Sequence, residues 1–140
     1  MNEGEGVLLD THVWLWLATG DEKLPASARK VLEKLEARGG LYVSAISLLE
    51  IANMARRNRI QLPVNLNEWF ERALSEANIG LLPITPEIAA ETAALPESFH
   101  GDPADRLIGA TARVENLMLC THDKDLLRFA KTGLFRALMV

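Results

Sequence analysis

Only one cysteine, Cys120, stands among the 140 residues, so no disulfide can close within the chain and a cysteine-based metal site is excluded by count. It lies in the apolar run LMLC, which suits a small core residue on a buried strand rather than a nucleophile. Long apolar runs are missing too. The longest lies near Val13–Ala18, far short of the ~20 residues a membrane-spanning helix needs, and no membrane association is expected. The opening MNEGEG is acidic and glycine-rich, with no basic region leading into an apolar core. It does not read as a signal peptide, and a cytoplasmic protein is the expectation. Excess positive charge is also absent. A formal net charge of −4 argues against a protein that coats nucleic acid through overall charge. A nuclease stays open, because carboxylates gathered around divalent cations lower the net charge while the cations restore local attraction to phosphate.

What is present reads as residues 1–6 forming a loose tail and 7–140 forming one domain, long enough to bury a core without disulfides. GVLLD, LYVS, IGLLPI, LMLC and the C-terminal LFRALMV read as short strands. Pro83 points to an edge position or an end for the third. Between them lie helical stretches: residues 11–18, 26–38 with Val31, Leu32 and Leu35 as its apolar face, 45–57 capped by Ser44 or Ser47, 66–77, 86–95, 103–115 and 124–131. Strands alternating with helices make an α/β fold with a mostly parallel sheet of about five short strands.

HGDPADRLIGATA, residues 100–112, organises the rest. Pro103 suits the first helical position, which puts Asp102 at the N-cap and Asp105 in the first turn. Both carboxylates then sit at the positive end of a helix dipole, and Gly109 and Ala110 permit close packing. Taken alone this is an ordinary capping arrangement. Three further acids change its weight. Asp10 and Asp123 fall at the carboxyl ends of strands, where α/β sheets build their sites. Glu50 lies in the early turns of the helix after the second strand. Acids crowded together are costly unless a cation or protons offset the repulsion. An all-carboxylate cluster suits a hard ion, Mg²⁺ or Mn²⁺, and such a site can activate water for in-line phosphoryl displacement. Asp10, Asp105 and Asp123 are the candidate ligands, and Glu50 a holder of metal-bound water or a base.

The order LLDTHVWLW, YVSAISLLEIA, HGDPADRLIGATA and LCTHD resembles the PIN-domain family, and within it the VapC-type toxins of prokaryotic toxin–antitoxin systems. The resemblance spans Val7 to the C-terminus. It implies a three-layer α/β/α sandwich, with Asp10, Glu50, Asp105 and Asp123 matching the four acids. Thr11 and Thr121 match flanking hydroxyl residues and Asp102 an accessory aspartate. It further implies a Mg²⁺- or Mn²⁺-dependent endoribonuclease that acts on RNA, forms a homodimer and is neutralised by a cognate antitoxin. Leu49 stands where tryptophan is frequent and Ala104 where phenylalanine is frequent; neither change touches a carboxylate.

Two other functions are open to the same residues. A phosphotransferase or phosphatase would use Asp10 as a nucleophile, but His12 occupies the place of its second aspartate and Glu50 has no role. A non-catalytic RNA-binding scaffold on a PIN fold would not need all four acids. Arg56, Arg57 and Arg59 either complement a helix dipole or contact RNA phosphate. Arg106 either pairs with an acid or touches substrate. His12, His100 and His122 read as structural or surface residues. Trp14 and Trp16, two apart on a helix, cannot share a narrow face, so one is expected in the core and the other at a dimer partner.

Overall fold

Val7–Leu9 (β1) is apolar at every position, as a strand covered on both faces must be, and all three residues are fully buried. The computed structural model describes residues 6–99 and 102–140. Residues 1–5 of the expected tail, and His100, lie outside it. β1 is the middle strand of a five-stranded sheet completed by β2 (Leu41–Ser44), β3 (Gly80–Leu82), β4 (Met118–Thr121) and β5 (Ala137–Met139), in the order β3-β2-β1-β4-β5. Every described pairing is parallel. β3 is at an edge, as Pro83 led one to expect.

The two-residue period of a strand divides the core. Val7 and Leu9 join Leu41, Val43 and Cys120 on one face, packed against α1 (Thr11–Thr19), α2 (Ala26–Ala37), α3 (Ala45–Arg56) and α4 (Leu66–Glu71). Leu8 and Leu119 point to the other face, against α6 (Pro103–Val114), α7 (Lys124–Ala130) and Phe99. α5 (Pro86–Ala94) packs on α6. This is the expected three-layer α/β/α sandwich. No helix among the described residues is long and apolar enough to cross a membrane.

Local signals act as their chemistry requires. Gly20, at φ 71°, caps α1 in the left-handed conformation that glycine adopts without a Cβ penalty. A Cβ on Gly109 would sit 3.2 Å from the Phe135 ring, so its absence lets α6 lie close to that ring. Three expectations need correction. Val31 is 42% exposed, so only Leu32 and Leu35 carry the buried face of α2. The helix expected over 66–77 is α-helical only to Glu71 and continues as a π-helical turn, Arg72–Glu76. Trp14 and Trp16 are both buried. Trp14 packs on Trp69 and Phe70 and donates its indole N–H to the Ala73 carbonyl. Trp16 lies edge-on to His122, with ring centroids 5.3 Å apart. Because α1 is covered nearly all round, residues two apart are buried in different surroundings.

The chain leaves β1 toward β2 on one side of the sheet and leaves β4 toward β5 on the other. The connections diverge at the carboxyl ends of β1 and β4, opening the crevice in which open α/β sheets place ligands.

Candidate active site

Asp10 follows β1 directly, and the register that pairs Leu9 with Cys120 brings it beside Thr121. One carboxylate oxygen accepts the Thr11 N–H at 2.8 Å, capping α1, and the other accepts the Thr121 hydroxyl at 2.7 Å. The residue is only 8% exposed. Burial pushes its pKa up, the hydrogen bonds from Thr121 and Thr11 oppose that, and Asp123 adds to the rise. Both oxygens are thus oriented acceptors, a geometry that suits an anchored ligand better than the free nucleophile of a phosphotransferase.

Glu50 reaches the same crevice from α3, whose N-cap is Ser44 and not Ser47. The Thr11 hydroxyl donates to Glu50 Oε1 at 2.5 Å and lies 2.7 Å from the Ser47 hydroxyl. With its one hydrogen directed to Glu50, Thr11 accepts from Ser47. Ser47 was not foreseen as a site residue. It stands three residues before Glu50, on the same helical face, and that spacing was the available signal. Burial foremost, then Asp10 and Asp102, raise the Glu50 pKa against the bond from Thr11.

Asp102 is the N-cap of α6, accepting the Asp105 N–H at 2.8 Å. Asp105 does not complete a reciprocal capping box; its half-buried carboxyl faces the other acids instead. Its pKa is pushed up to about 7, by burial first and then by Asp102, Asp10, Asp123 and Glu50. All four of these acids lie near enough for their charges to act at Asp105. Asp123 caps α7, accepting from the N–H groups of Asp125 and Leu126, while its own N–H donates to Thr121 Oγ1. Thr121 therefore ties Asp123 to Asp10 as Thr11 ties Glu50. Among the described residues no three His, Cys, Asp or Glu side chains are drawn into a group compact enough to hold an ion as they stand; like-charge repulsion opposes closer approach. The donors are nonetheless all oxygen and mutually repelling, which fits a hard divalent cation.

A family model described as PIN domain matches residues 7–132. The chain belongs to the PIN-domain family. This PIN domain is 42% identical over 120 residues to "Ribonuclease VapC22" of Mycobacterium tuberculosis, an alignment covering 86% of the chain and 88% of that relative. Among solved structures it resembles VapBC2 from Rickettsia felis bound to a promoter DNA fragment (TM-score 0.70, 17% identity, 95% of this chain and 97% of that one). It also resembles DNA-bound VapBC from Salmonella typhimurium (TM-score 0.71, 17% identity, 96% and 98%). At such identities the likeness is one of fold.

The structure separates the arginine candidates. Arg57 and Arg59 line the cleft that holds Glu50 and Asp102, and Arg56 is exposed outside that lining. Arg106 is engaged within the protein. Its guanidinium donates to the carbonyls of Thr92, Leu95, Pro96 and Phe99, satisfying the end of α5 and the turn beyond it. Arg106→Ala is expected to lower stability by about 2–3 kcal/mol in urea unfolding, and Arg106→Lys to recover only part, because an ammonium cannot reproduce the planar fork. Asp102→Ala, which removes a cap, is expected to cost about 1 kcal/mol by the same measurement, with Asp102→Asn close to wild type.

A larger depression of about 1420 Å³ between α6, α7 and β5 contains none of these site acids. Cys120 is buried against Asp10 and its thiol is pushed up to about 12, an inert core group.

Proposed function

We propose that this PIN domain, taken as residues 7–140, is an endoribonuclease that hydrolyses RNA phosphodiester bonds with Mg²⁺ or Mn²⁺. In this reading it is the toxin of a toxin–antitoxin pair, a cytoplasmic homodimer held in check by a cognate antitoxin. The observation that carries the reading is that Thr121 bonds both Asp10 and Asp123 and Thr11 bonds both Asp10 and Glu50, with Asp105 raised by these acids and by Asp102 of its own helix start. The 42% identical relative named a ribonuclease supports the substrate, and the fold shared with VapBC proteins supports the toxin role.

Asp10, Asp105 and Asp123 are the residues to hold the ion, with Asp102 at the rim. A bound divalent cation would supply Lewis acidity toward phosphate and water. The chain's own groups do the rest. Thr11 and Thr121 hold Glu50 and Asp10 in single orientations. Glu50, with Oε1 engaged by Thr11 and a raised affinity for protons, keeps Oε2 to take a proton from the attacking water.

Purified protein is expected to cleave single-stranded RNA in Mg²⁺ or Mn²⁺ and to stop in EDTA. RNA left intact with either ion would overturn the reading. A short reading frame beside the gene, encoding a DNA-binding protein that blocks cleavage on co-purification, is the expected sign of the antitoxin.

A further inference from the structure

The cleft that begins at the acids does not end there. It has a volume of about 850 Å³ and runs outward between α1 and α3. Along α3 the lining residues Glu50, Asn53 and the C-cap Arg57 recur at helical spacing on one face. Seven residues of helix separate Glu50 from Arg57, about 10 Å along the axis. The cleft therefore has two electrical ends. Glu50 and Asp102 make one end negative, while at the other Lys23, Arg57 and Arg59 outnumber a single acid, Asp21, whose carboxylate accepts the Lys23 backbone N–H. The three cations are exposed, and none forms an ion pair among the described residues. Between the ends lies an apolar strip that includes Leu15, Met54 and Leu62. The Asn53 and Gln61 amides border it without a side-chain hydrogen bond within the described protein.

A surface that only balanced the acids would place its cations against them. Here Arg57 stands about 10 Å along the same face of α3 from Glu50, too far to neutralise the acid cluster and well placed for a neighbouring phosphate of a strand whose scissile phosphate sits at the acids. An apolar strip edged by amides suits the face and edge of an unpaired base. A duplex buries its base faces and offers nothing to such a strip.

We propose, building on the ribonuclease reading, that this cleft takes a single-stranded RNA segment flanking the scissile bond. Lys23, Arg57 and Arg59 hold a flanking phosphate, and Asn53 and Gln61 determine which base is accepted.

The test uses the full chain carrying Asp10→Asn, to bind without cutting, and a short labelled single-stranded RNA spanning a mapped cleavage site. Adding Arg57→Ala and Arg59→Ala is expected to weaken binding about tenfold or more and to reduce the slope of log affinity against log salt by about 0.7, the share of one phosphate contact on a single strand. Lys34→Ala, on the exposed side of α2, leaves both unchanged. In the active protein, Asn53→Ala or Gln61→Ala redistributes cleavage among sequences, read by sequencing RNA ends, without changing the salt slope. An unchanged slope in the double variant, equal binding of the same sequence as a duplex, or an unchanged cleavage pattern in both amide variants would overturn the cleft assignment while wild-type cleavage stands. Absence of cleavage by wild type would overturn the ribonuclease reading, and this inference with it.

Discussion

Asp10→Asn protein is expected to lose RNA cleavage by about 1,000-fold or more, equivalent to about 4 kcal/mol of barrier, while melting no lower than wild type in metal-free buffer. The two halves of this result have one cause. Asparagine keeps the shape of Asp10 and an oxygen to accept the Thr11 N–H. Its NH₂ meets Thr121 Oγ1, which has lone pairs for it once the hydroxyl no longer donates to Asp10. What disappears is a desolvated negative charge beside Asp123. In the metal-free fold that charge is a burden; in the working site it is a ligand. A variant that lost activity by unfolding would melt lower, and one that kept substantial cleavage would remove Asp10 from the site.

The second large effect is a linked dependence on pH and metal. Asp105 has its pKa raised to about 7 from an ordinary 3.8. A carboxyl raised by folding is held protonated in the native state while the unfolded chain has already lost the proton. Its contribution to stability is full below about pH 4 and is lost as pH rises toward about 7. The melting temperature of Asp105→Asn minus that of wild type, in EDTA, should therefore be near zero at pH 4 and grow as pH rises to 8, reaching about 3–6 °C. Mn²⁺ should stabilise wild type and shrink the difference, because a bound cation favours the ionised carboxylate. Cleavage should run the opposite way, increasing with pH as Asp105 ionises and shifting to lower pH as Mn²⁺ is raised. A difference in melting temperature that is flat across pH 4–8 would show that Asp105 does not feel the acid cluster.

Much of the fold was legible because the chain uses punctuation with local physical causes. Gly20 ends α1, Asp102-Pro103 opens α6, and Asn116 ends it in the left-handed conformation, at φ 53°. Such signals act through backbone sterics and the nearest amides, so they can be read without knowing the partners. α4 could not be read to its end, since nothing in RALSE forbids an α-helix and the π-helical turn is known only in the packed structure. The expectation that one of Trp14 and Trp16 would face a dimer partner failed for a related reason, since both are buried. Helical spacing says which residues diverge, but not whether a second surface waits for each.

Within the site the same division holds. The four acids were identifiable one by one from strand ends and helix starts. Pro103 also marked Asp102 as the cap, as found; what the local sequence did not carry is which acids act on one another. Asp102 and Asp105 stand three apart in one motif, yet one is spent on a backbone N–H and the other faces four acids. Arg106 directly follows Asp105 and was open as a substrate contact, but the next position on a helix turns about 100° away, and it is occupied by four carbonyls.

By itself the sequence determined the alternation of strands and helices, the caps, and which carboxylates lie at the carboxyl edge of the sheet, because these follow from local geometry and period. Only the tertiary structure decided which acids share one field, that Ser47 joins Thr11 and Thr121 in holding them, and that Arg57 and Arg59 share a cleft with Glu50 and Asp102. Electric fields and hydrogen bonds fall off with distance through space, and distance along the chain does not report it.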